Sequence, residues 1–223
     1  LCIETATEVC SVALGNRHKL IVEDNINRKN SHTETLTIQI ENILKKARIS
    51  YQDLNGVALS GGPGSYTGLR VGSSVAKGIC YAWDIPLVAV DTLYGLGVGV
   101  SDQVGPGQII IPMIDARRME VYTAHYDHQM NELKSVYNVI LEEGVFNNLG
   151  AERALICGNG ALKCEGIDVG IDIDIIPTTC KAANLIVKSY ELLKEGKIED
   201  IAYFNPNYHK APNVTKSKKN ILG

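Results

Sequence analysis

The sequence predicts an α/β protein built from two related lobes, each of the βββαβαβ type. Two observations lead to this prediction: short apolar segments alternate with segments of helical periodicity, and both halves open on an apolar strand that ends in an acid. The chain has 223 residues, 45% of them hydrophobic and 21% charged, which is enough for one sizeable core or two cores of roughly 110 residues each. We therefore expect a globular protein with one lobe at residues 1–100 and a second at residues 101–223.

The first half opens on three apolar segments that have the pattern of an antiparallel meander. Its strands are predicted at Leu1–Ala6, Val9–Gly15 and Lys19–Asn25. Ser31, with Glu34 three residues later, has the pattern of a capping box, so a helix is predicted over about 31–47. The remaining elements are a strand at Gly56–Leu59, a helix near 68–83, a strand at Pro86–Val90 and a helix after Asp91. Leu1 lies inside an apolar run, so the natural first strand is expected to begin a few residues upstream.

The second half repeats this plan loosely after a glycine-rich linker near residues 100–108. Its predicted strands are Ile109–Asp115, Glu120–Tyr126, Leu133–Leu141, Arg153–Cys157 and Asp172–Ile176. A short helix is predicted near 142–149, and a long amphipathic helix over Cys180–Lys194, capped by Gly196.

An internal echo indicates that the two halves are related by duplication. In each, an apolar strand ends in an acid, Glu4 or Asp115, and a second strand reaches an alanine nine residues later, Ala13 or Ala124. The composition of β-hairpins in general can also produce this match. As architecture, two such halves are the plan of the actin-like, ribonuclease-H-like kinases and ATPases. An acid at the end of the first strand of that fold commonly supports a metal or a phosphate.

Composition and charge restrict the function further. The formal net charge is -3, from 25 acids and 22 bases, so any nucleic-acid contact must be local or shared with a partner. The six cysteines are scattered without a C-x-x-C spacing and are expected to be reduced and mostly buried. The sequence contains neither a basic-then-apolar leader nor a charge-free apolar run of about 20 residues, which predicts a cytoplasmic protein with no membrane partner.

A glycine-rich loop between an apolar strand and an apolar helix is the most distinctive feature of the chain. This signature loop consists of Gly61, Gly62, Pro63, Gly64, Ser65, Tyr66, Thr67 and Gly68. Small residues expose backbone N–H groups, and the following helix adds its positive end, so the loop can cradle a phosphate. It can equally be a hinge that lets the helix pack closely.

The residues around the loop do not favour a catalytic site. If Glu4 and Asp115 supported a metal, the turns beside them should contain glycine, so that a phosphate could approach the backbone. The turns at 5–7 and 116–118 contain no glycine. Acids that cap turns at strand ends are the preferred interpretation.

Metal and nucleophile patterns are equally weak. His125 and His128 are predicted to be a surface pair. A second histidine ligand one helical turn after His32 would have to be residue 36, which is a leucine. No metal site is therefore predicted. The serines near the loop do not make G-x-S-x-G and have no nearby histidine.

The helix after the loop gives a stronger clue, because it is apolar or small on every face. Such a helix is buried by its own chain on all sides, or covered on one side by another subunit. Gly72 and Gly78 each cost about 1 kcal/mol of helix propensity, which close helix approach must offset. The first helix adds a mixed apolar and amide surface, so the two helices could meet two partner helices as a four-helix interface.

The loop and three shorter segments resemble one known family. Residues 62–72, Gly-Pro-Gly-Ser-Tyr-Thr-Gly-Leu-Arg-Val-Gly, resemble the G-P-G-S-F/Y-T-G-x-R-x-G signature of the bacterial TsaB (YeaZ) family. Residues 3–7 resemble its I-D-T-A-T opening, with Glu4 in place of the usual aspartate, and residues 91–93 and 115–122 resemble two further segments. The likeness covers most of the first half and the start of the second.

The resemblance implies an actin-like (ASKHA) fold and a place in the complex that makes N6-threonylcarbamoyladenosine (t6A) beside the anticodon of tRNAs. It implies a non-catalytic subunit. By the same resemblance, a TsaD-like partner is expected to carry the metal and transfer the threonylcarbamoyl group, a TsaE-like ATPase to bind the pair, and a TsaC-like enzyme to make the adenylate. The subunit is expected to have no cofactor of its own, although ATP or ADP can occupy an interface shared in the complex, and tRNA is reached through the complex.

Carried over by position, the resemblance places the TsaD-binding face on the first two helices. The residues predicted for this face are His32, Thr35, Leu36, Gln39, Arg70, Val71, Ser74, Lys77, Gly78 and Tyr81. Without the partner, the same helices can form a homodimer. The alternative is an actin-like ATP-dependent kinase or a glycoprotease-like metallopeptidase acting on its own. The lysine-rich C-terminal stretch Pro206–Gly223 is interpreted as a solvated tail or a local RNA contact.

Overall fold

The computed structural model of the protein describes residues 1–28 and 31–209 as ten strands and four α-helices. The strands are β1 (Cys2–Glu4), β2 (Val9–Asn16), β3 (Lys19–Asn27), β4 (Val57–Ser60), β5 (Leu87–Val90), β6 (Gln108–Asp115), β7 (Glu120–Asp127), β8 (Glu132–Ile140), β9 (Arg153–Cys157) and β10 (Asp172–Ile176). The helices are α1 (His32–Ala47), α2 (Tyr66–Trp83), α3 (Thr92–Val98) and α4 (Ile186–Lys194). Short 3₁₀ turns lie at Tyr51–Asp53, Ser101–Gln103, Ala161–Cys164 and Ala182–Leu185.

The first sheet has the strand order β3-β2-β1-β4-β5. The pairs β1–β2 and β2–β3 are antiparallel, whereas β1–β4 and β4–β5 are parallel. Parallel neighbours require a crossover, which α1 and α2 provide. The predicted βββαβαβ order of the first half is therefore correct.

The second sheet has the order β10-β9-β6-β7-β8, with the same pairing directions as the first. This match confirms two related halves of an actin-like α/β fold. The crossovers differ between the two sheets. The segment 142–149 consists of turns, so the helix predicted there is wrong. Gly144 and Gly150 both take positive φ there, which a helix does not allow, while Phe146 is fully buried.

Helices cover both faces of the first sheet. On one face, α1 and α2 pack Leu36, Ile40 and Ala76 against strand residues such as Ile3 and Leu59. On the other face, the segment 182–186 that leads into α4 packs against residues of β1, β2, β4 and β5. Helix α3 packs against the second sheet. The division of the chain at residues 100 and 101 stays a prediction, since a helix from each side of it packs on the opposite sheet.

Several local predictions need correction. The capping box at α1 is wrong, because the Ser31 hydroxyl donates to the Arg28 carbonyl and Glu34 pairs with the Arg28 guanidinium. Helix α2 begins two residues earlier than predicted, and α4 begins only at Ile186. His125 is buried and hydrogen-bonds Tyr137, so it is not part of a surface pair.

The prediction for the cysteines agrees with the structure. All six cysteines are free and buried, as expected. Within the described ranges, every helix is too short or too polar to cross a membrane. The C-terminal lysines from Lys210 onward lie outside the described residues, so the interpretation of that tail stays a prediction.

Candidate partner-binding face and glycine-rich loop

The glycine-rich loop uses several of its own backbone donors within the chain. The Gly61 N–H donates to the Val90 carbonyl at 2.7 Å, and the Gly62 N–H to the Thr92 hydroxyl at 3.2 Å. The Ser65 N–H donates to the Ala6 carbonyl at 2.7 Å. A phosphate cradle needs such donors free and convergent, so these contacts favour the packing role of the loop.

Three glycines spaced by four residues bring the loop and α2 against the turn after β1. A Cβ on Gly64 would lie 2.5 Å from the Ala6 carbonyl oxygen, and one on Gly68 would overlap the Thr5 carbonyl oxygen. One on Gly72 would overlap the Thr5 hydroxyl. Close approach of α2 to this turn therefore requires glycine at all three positions. The spacing of these glycines is visible in the sequence, although their partner in the fold is not.

The other loop residues anchor the start of α2. Ser65 is the N-cap, and its hydroxyl accepts from the Gly68 N–H at 3.3 Å. The Tyr66 ring lies 4.5 Å from the Tyr208 ring, and the Arg70 guanidinium lies 4.9 Å from the Tyr66 ring centre. Pro63 is buried, whereas Thr67 is exposed.

Both strand-end acids cap turns, as the sequence indicated. One oxygen of the fully buried Glu4, Oε1, accepts from the Ala6 N–H at 2.7 Å and the Ser60 hydroxyl at 2.9 Å. Burial raises the pKa of Glu4 to about 7, with a further contribution from the Asp91 carboxylate. Asp115 Oδ1 accepts from its turn and from the Lys163 ammonium at 2.6 Å.

A metal centre needs several ligating side chains brought together in one place. Across residues 1–28 and 31–209, no group of three or more His, Cys, Asp or Glu side chains is arranged to hold a metal ion.

Helix α2 presents four of the predicted partner-binding residues to solvent, and these form the exposed α2 face: Arg70, Ser74, Gly78 and Tyr81. Tyr81 is 82% exposed. A Cβ on Gly78 would meet nothing within 4 Å, so the packing of the described residues does not account for this glycine. A glycine in open space at the middle of a helix costs stability and permits another backbone to approach closely.

The remaining predicted residues of α2 face the chain itself. Val71 is half-buried and packs against the core beneath α1 and α2. The Lys77 ammonium donates to the Phe204 carbonyl at 3.2 Å, so it holds the C-terminal segment in place.

Helix α1 turns most of its predicted partner-binding residues inward. His32, Leu36 and Gln39 are buried, and the Gln39 amide donates to the carbonyls of Cys10 and Asp24, each at 3.2 Å. Thr35 is half-buried. These side chains therefore hold α1 against the first sheet, and their contact with a partner stays a prediction. Ile38, 58% exposed on α1, was not among the predicted residues.

Sequence reasoning also missed the contact between the loop and the segment after α4. The Asn207 N–H donates to the Gly61 carbonyl at 2.7 Å, and its own carbonyl occupies the space that a Cβ on Gly62 would need. The signal in the sequence that this segment is folded is its pair of apolar residues, Ile201 and Phe204. Both pack against the core.

A groove of about 510 Å³ lies between this segment and the C-terminal ends of β4 and β5. Three acids line it, Asp91, Glu199 and Asp200, and its described lining contains no lysine, arginine or histidine. Burial raises the pKa of Asp91 to about 6. The acidic lining disfavours the phosphates of a nucleotide in this groove.

Comparison with known proteins identifies the family. A family model described as TsaD, tRNA N6-adenosine threonylcarbamoyltransferase, matches residues 27–203. The TsaB protein of Escherichia coli (strain K12), named as a tRNA threonylcarbamoyladenosine biosynthesis protein, is 35% identical over 196 residues, 86% of this chain and 80% of that protein. The TsaB protein of Bacillus subtilis (strain 168) is 32% identical over 146 residues, 64% of this chain and 62% of that protein.

A solved structure shows the same fold. YeaZ from Pseudomonas aeruginosa superposes with a TM-score of 0.81 at 23% identity, covering 92% of this chain and 97% of that one. The family named by the sequence relatives and the fold of the solved structure agree with each other. The chain belongs to the TsaB (YeaZ) family.

Proposed function

We propose that the chain takes part in t6A biosynthesis as a non-catalytic scaffold and activator subunit that binds a TsaD-like transferase through the exposed α2 face. The names of its relatives support the process. The observation that carries the binding role is Gly78, an exposed helical glycine with open space around it. A partner helix that lies against this position would offset the helix propensity lost there.

The non-catalytic role is supported by the engagement of the groups that an actin-like site would use. Oε1 of Glu4 accepts from Ala6 and Ser60, and Asp115 is paired with Lys163. Several backbone donors of the loop are also engaged. On this proposal a TsaE-like ATPase and a TsaC-like adenylate synthase act with the pair, and tRNA is bound by the complex.

The binding role is tested with Ser74→Glu, which places a charge on the exposed α2 face without disturbing the core. We expect the variant to lose association with a TsaD-like chain by at least about tenfold in affinity, since a desolvated, unpaired carboxylate is costly at an interface. The association is measured by calorimetric titration of the two purified chains.

The matched control is Ser135→Glu, on the exposed part of β8 in the second sheet. This variant should bind the TsaD-like chain as the unsubstituted protein does. Normal binding by Ser74→Glu would show that the proposed face is wrong.

A chain that catalyses threonylcarbamoyl transfer itself is the second candidate, because the matching family model is described as a transferase. That candidate predicts tight binding of ATP–Mg²⁺ or of a divalent metal by the isolated chain, and label transfer from threonylcarbamoyl adenylate to tRNA without a second protein. The proposal predicts transfer only when a TsaD-like chain is added. Transfer by this chain alone would overturn the non-catalytic role.

A further inference from the structure

The acidic groove runs beside a free edge of the first sheet. Pairing with β4 uses the Pro86 carbonyl, which accepts from Val57, and the Val90 carbonyl, which accepts from Gly61. Because the backbone groups of a strand alternate in direction, those of Leu87 and Ala89 point away from β4. β5 therefore presents a short outer edge to the groove.

The segment after α4 covers only half of this edge. The Glu199 N–H donates to the Leu87 carbonyl at 2.8 Å, and Leu87 and Glu199 form an antiparallel bridge. The chain then turns away at Asp200, whose Oδ1 accepts from the N–H groups of Ala202 and Tyr203. Within residues 1–28 and 31–209, the outward N–H and carbonyl of Ala89 have no hydrogen-bond partner. Unpaired groups at a sheet edge are a template for an added strand.

Side chains around this edge select for positive charge. Glu199 and Asp200 lie on one wall and Asp91 at the end of β5, while Tyr203, 81% exposed, stands on the rim. A lysine or arginine can pair with these carboxylates and lie over the tyrosine ring. The wall is firmly built, because the Phe204 carbonyl accepts from Lys77 and Asn207 is bonded to Gly61.

We propose that this groove binds an extended basic segment of a partner protein, which adds to β5 as a further strand beside Ala89. Main-chain hydrogen bonds to Ala89 supply the pairing, and the carboxylates of Asp91, Glu199 and Asp200 select lysine or arginine side chains. This surface is separate from the exposed α2 face, so the inference does not depend on the proposed function.

The test uses a fluorescein-labelled peptide of roughly ten residues in which lysine and threonine alternate, titrated with the full chain and followed by fluorescence anisotropy. We expect binding in the micromolar range, and at least about tenfold weaker binding for the same peptide with glutamate in place of lysine. The double variant Glu199→Gln, Asp200→Asn should weaken the lysine peptide by at least about tenfold. Glu142→Gln, Glu143→Gln changes the net charge equally at exposed positions and should leave binding unchanged.

A second peptide tests the main-chain pairing without altering the protein. Methylation of alternate backbone nitrogens removes the donors of one peptide edge, and binding should fall by at least about tenfold. Equal binding by the methylated peptide, by the glutamate peptide or by the groove variant would overturn the proposal, as would failure of the lysine peptide to bind.

The last arm separates a partner segment from the chain's own basic end. Replacement of Lys210, Lys216, Lys218 and Lys219 by glutamine in the full chain should leave peptide affinity unchanged. An affinity increase of about tenfold or more would show that the chain's own lysines compete for the groove, and a partner segment would then be the wrong occupant.

Discussion

Glu4 has two carboxyl oxygens in different surroundings. Oε1 accepts two hydrogen bonds, from Ala6 and Ser60, while Oε2 is buried without a partner among the described residues. An unpartnered buried oxygen makes the ionised carboxylate costly, and burial accordingly raises the pKa of Glu4 to about 7. Glu4 therefore links the protonation state of the chain to the turn against which α2 packs.

We expect the free energy of unfolding to depend on pH through this residue. The folded chain holds a proton on Glu4 up to about pH 7, whereas the unfolded chain loses it near pH 4.5. Stability therefore falls as pH rises between these values, by roughly 3 kcal/mol, and stays lower above them. Glu4→Gln keeps a carbonyl oxygen as acceptor but cannot ionise, so it should flatten this slope. Urea unfolding at a series of pH values measures the effect.

Asp91 contributes a slope of the same sign, because burial also raises its pKa, to about 6, so some dependence should remain in Glu4→Gln. Glu142→Gln, in an exposed turn, is the control and should keep the slope of the unsubstituted chain. Identical slopes in Glu4→Gln and the control would contradict the account of Glu4.

Sequence reasoning reached the role of Glu4 but not its environment. The side chains of Thr5 and Ala6 argued against a phosphate hairpin and for a capped turn, and the hydrogen bond to Ala6 confirms the cap. The groups around the carboxyl are distant in sequence: the Ser60 hydroxyl donates to it, and Asp91 and Cys180 lie close enough to interact with it electrostatically. Burial of the carboxyl is a property of tertiary packing, which residue spacing does not reveal.

At the scale of the element, α2 contains two glycines with opposite surroundings. Gly72 faces the Thr5 hydroxyl closely, whereas Gly78 faces open space. The two glycines cost the same in helix propensity. Internal packing offsets this cost at Gly72, whereas no contact within the described residues offsets it at Gly78.

We expect Gly78→Ala to raise the free energy of unfolding by up to about 1 kcal/mol, because alanine favours the helix and its methyl group meets no neighbour. Gly72→Ala should lower it, by about 1–3 kcal/mol, because its methyl group overlaps Thr5. Urea unfolding of the two isolated variants measures both changes, and each serves as the control for the other. Equal effects of the two substitutions would contradict the assignment.

Element prediction succeeded where periodicity and packing agree. Helices α1 and α2 were found from their apolar spacing, while the segment 142–149 was wrongly predicted as a helix. Glycines with positive φ at 144 and 150 break that segment, and the burial of Phe146 comes from packing against the second sheet. The start of α4 was misplaced because the segment before Ile186 packs on the first sheet in a 3₁₀ turn.

At the scale of the whole molecule, the two sheets share one strand order, but among residues 1–28 and 31–209 helices form both crossovers in the first sheet alone. In the second sheet the corresponding crossovers are turns and the short 3₁₀ segment Ala161–Cys164. The weak echo around Glu4 and Asp115 was enough to predict the duplication, since it marks the first two strands of each half, which pair antiparallel in both sheets. The loss of the helices was not predictable from that echo. The helical surface of the first lobe is thus the one that distinguishes the two halves.

Without a partner, we expect the exposed α2 face to pair with that of a second copy, because it is small, weakly charged and uncovered. Sedimentation equilibrium of the isolated chain should give a dimer that Ser74→Glu converts to a monomer. Ser135→Glu should remain dimeric. A Ser74→Glu dimer of unchanged affinity would place the self-association elsewhere.

The most direct measurement of the central claim is the affinity of Gly78→Trp for a TsaD-like chain, determined by calorimetric titration beside Gly78→Ala. Because a Cβ at Gly78 would meet nothing within 4 Å, we expect both isolated variants to fold as the unsubstituted chain does, and unfolding curves check this. If the exposed α2 face binds the partner, the indole blocks helix approach and the affinity falls by at least about tenfold, while alanine has a smaller effect. Unchanged affinity of Gly78→Trp would contradict the account.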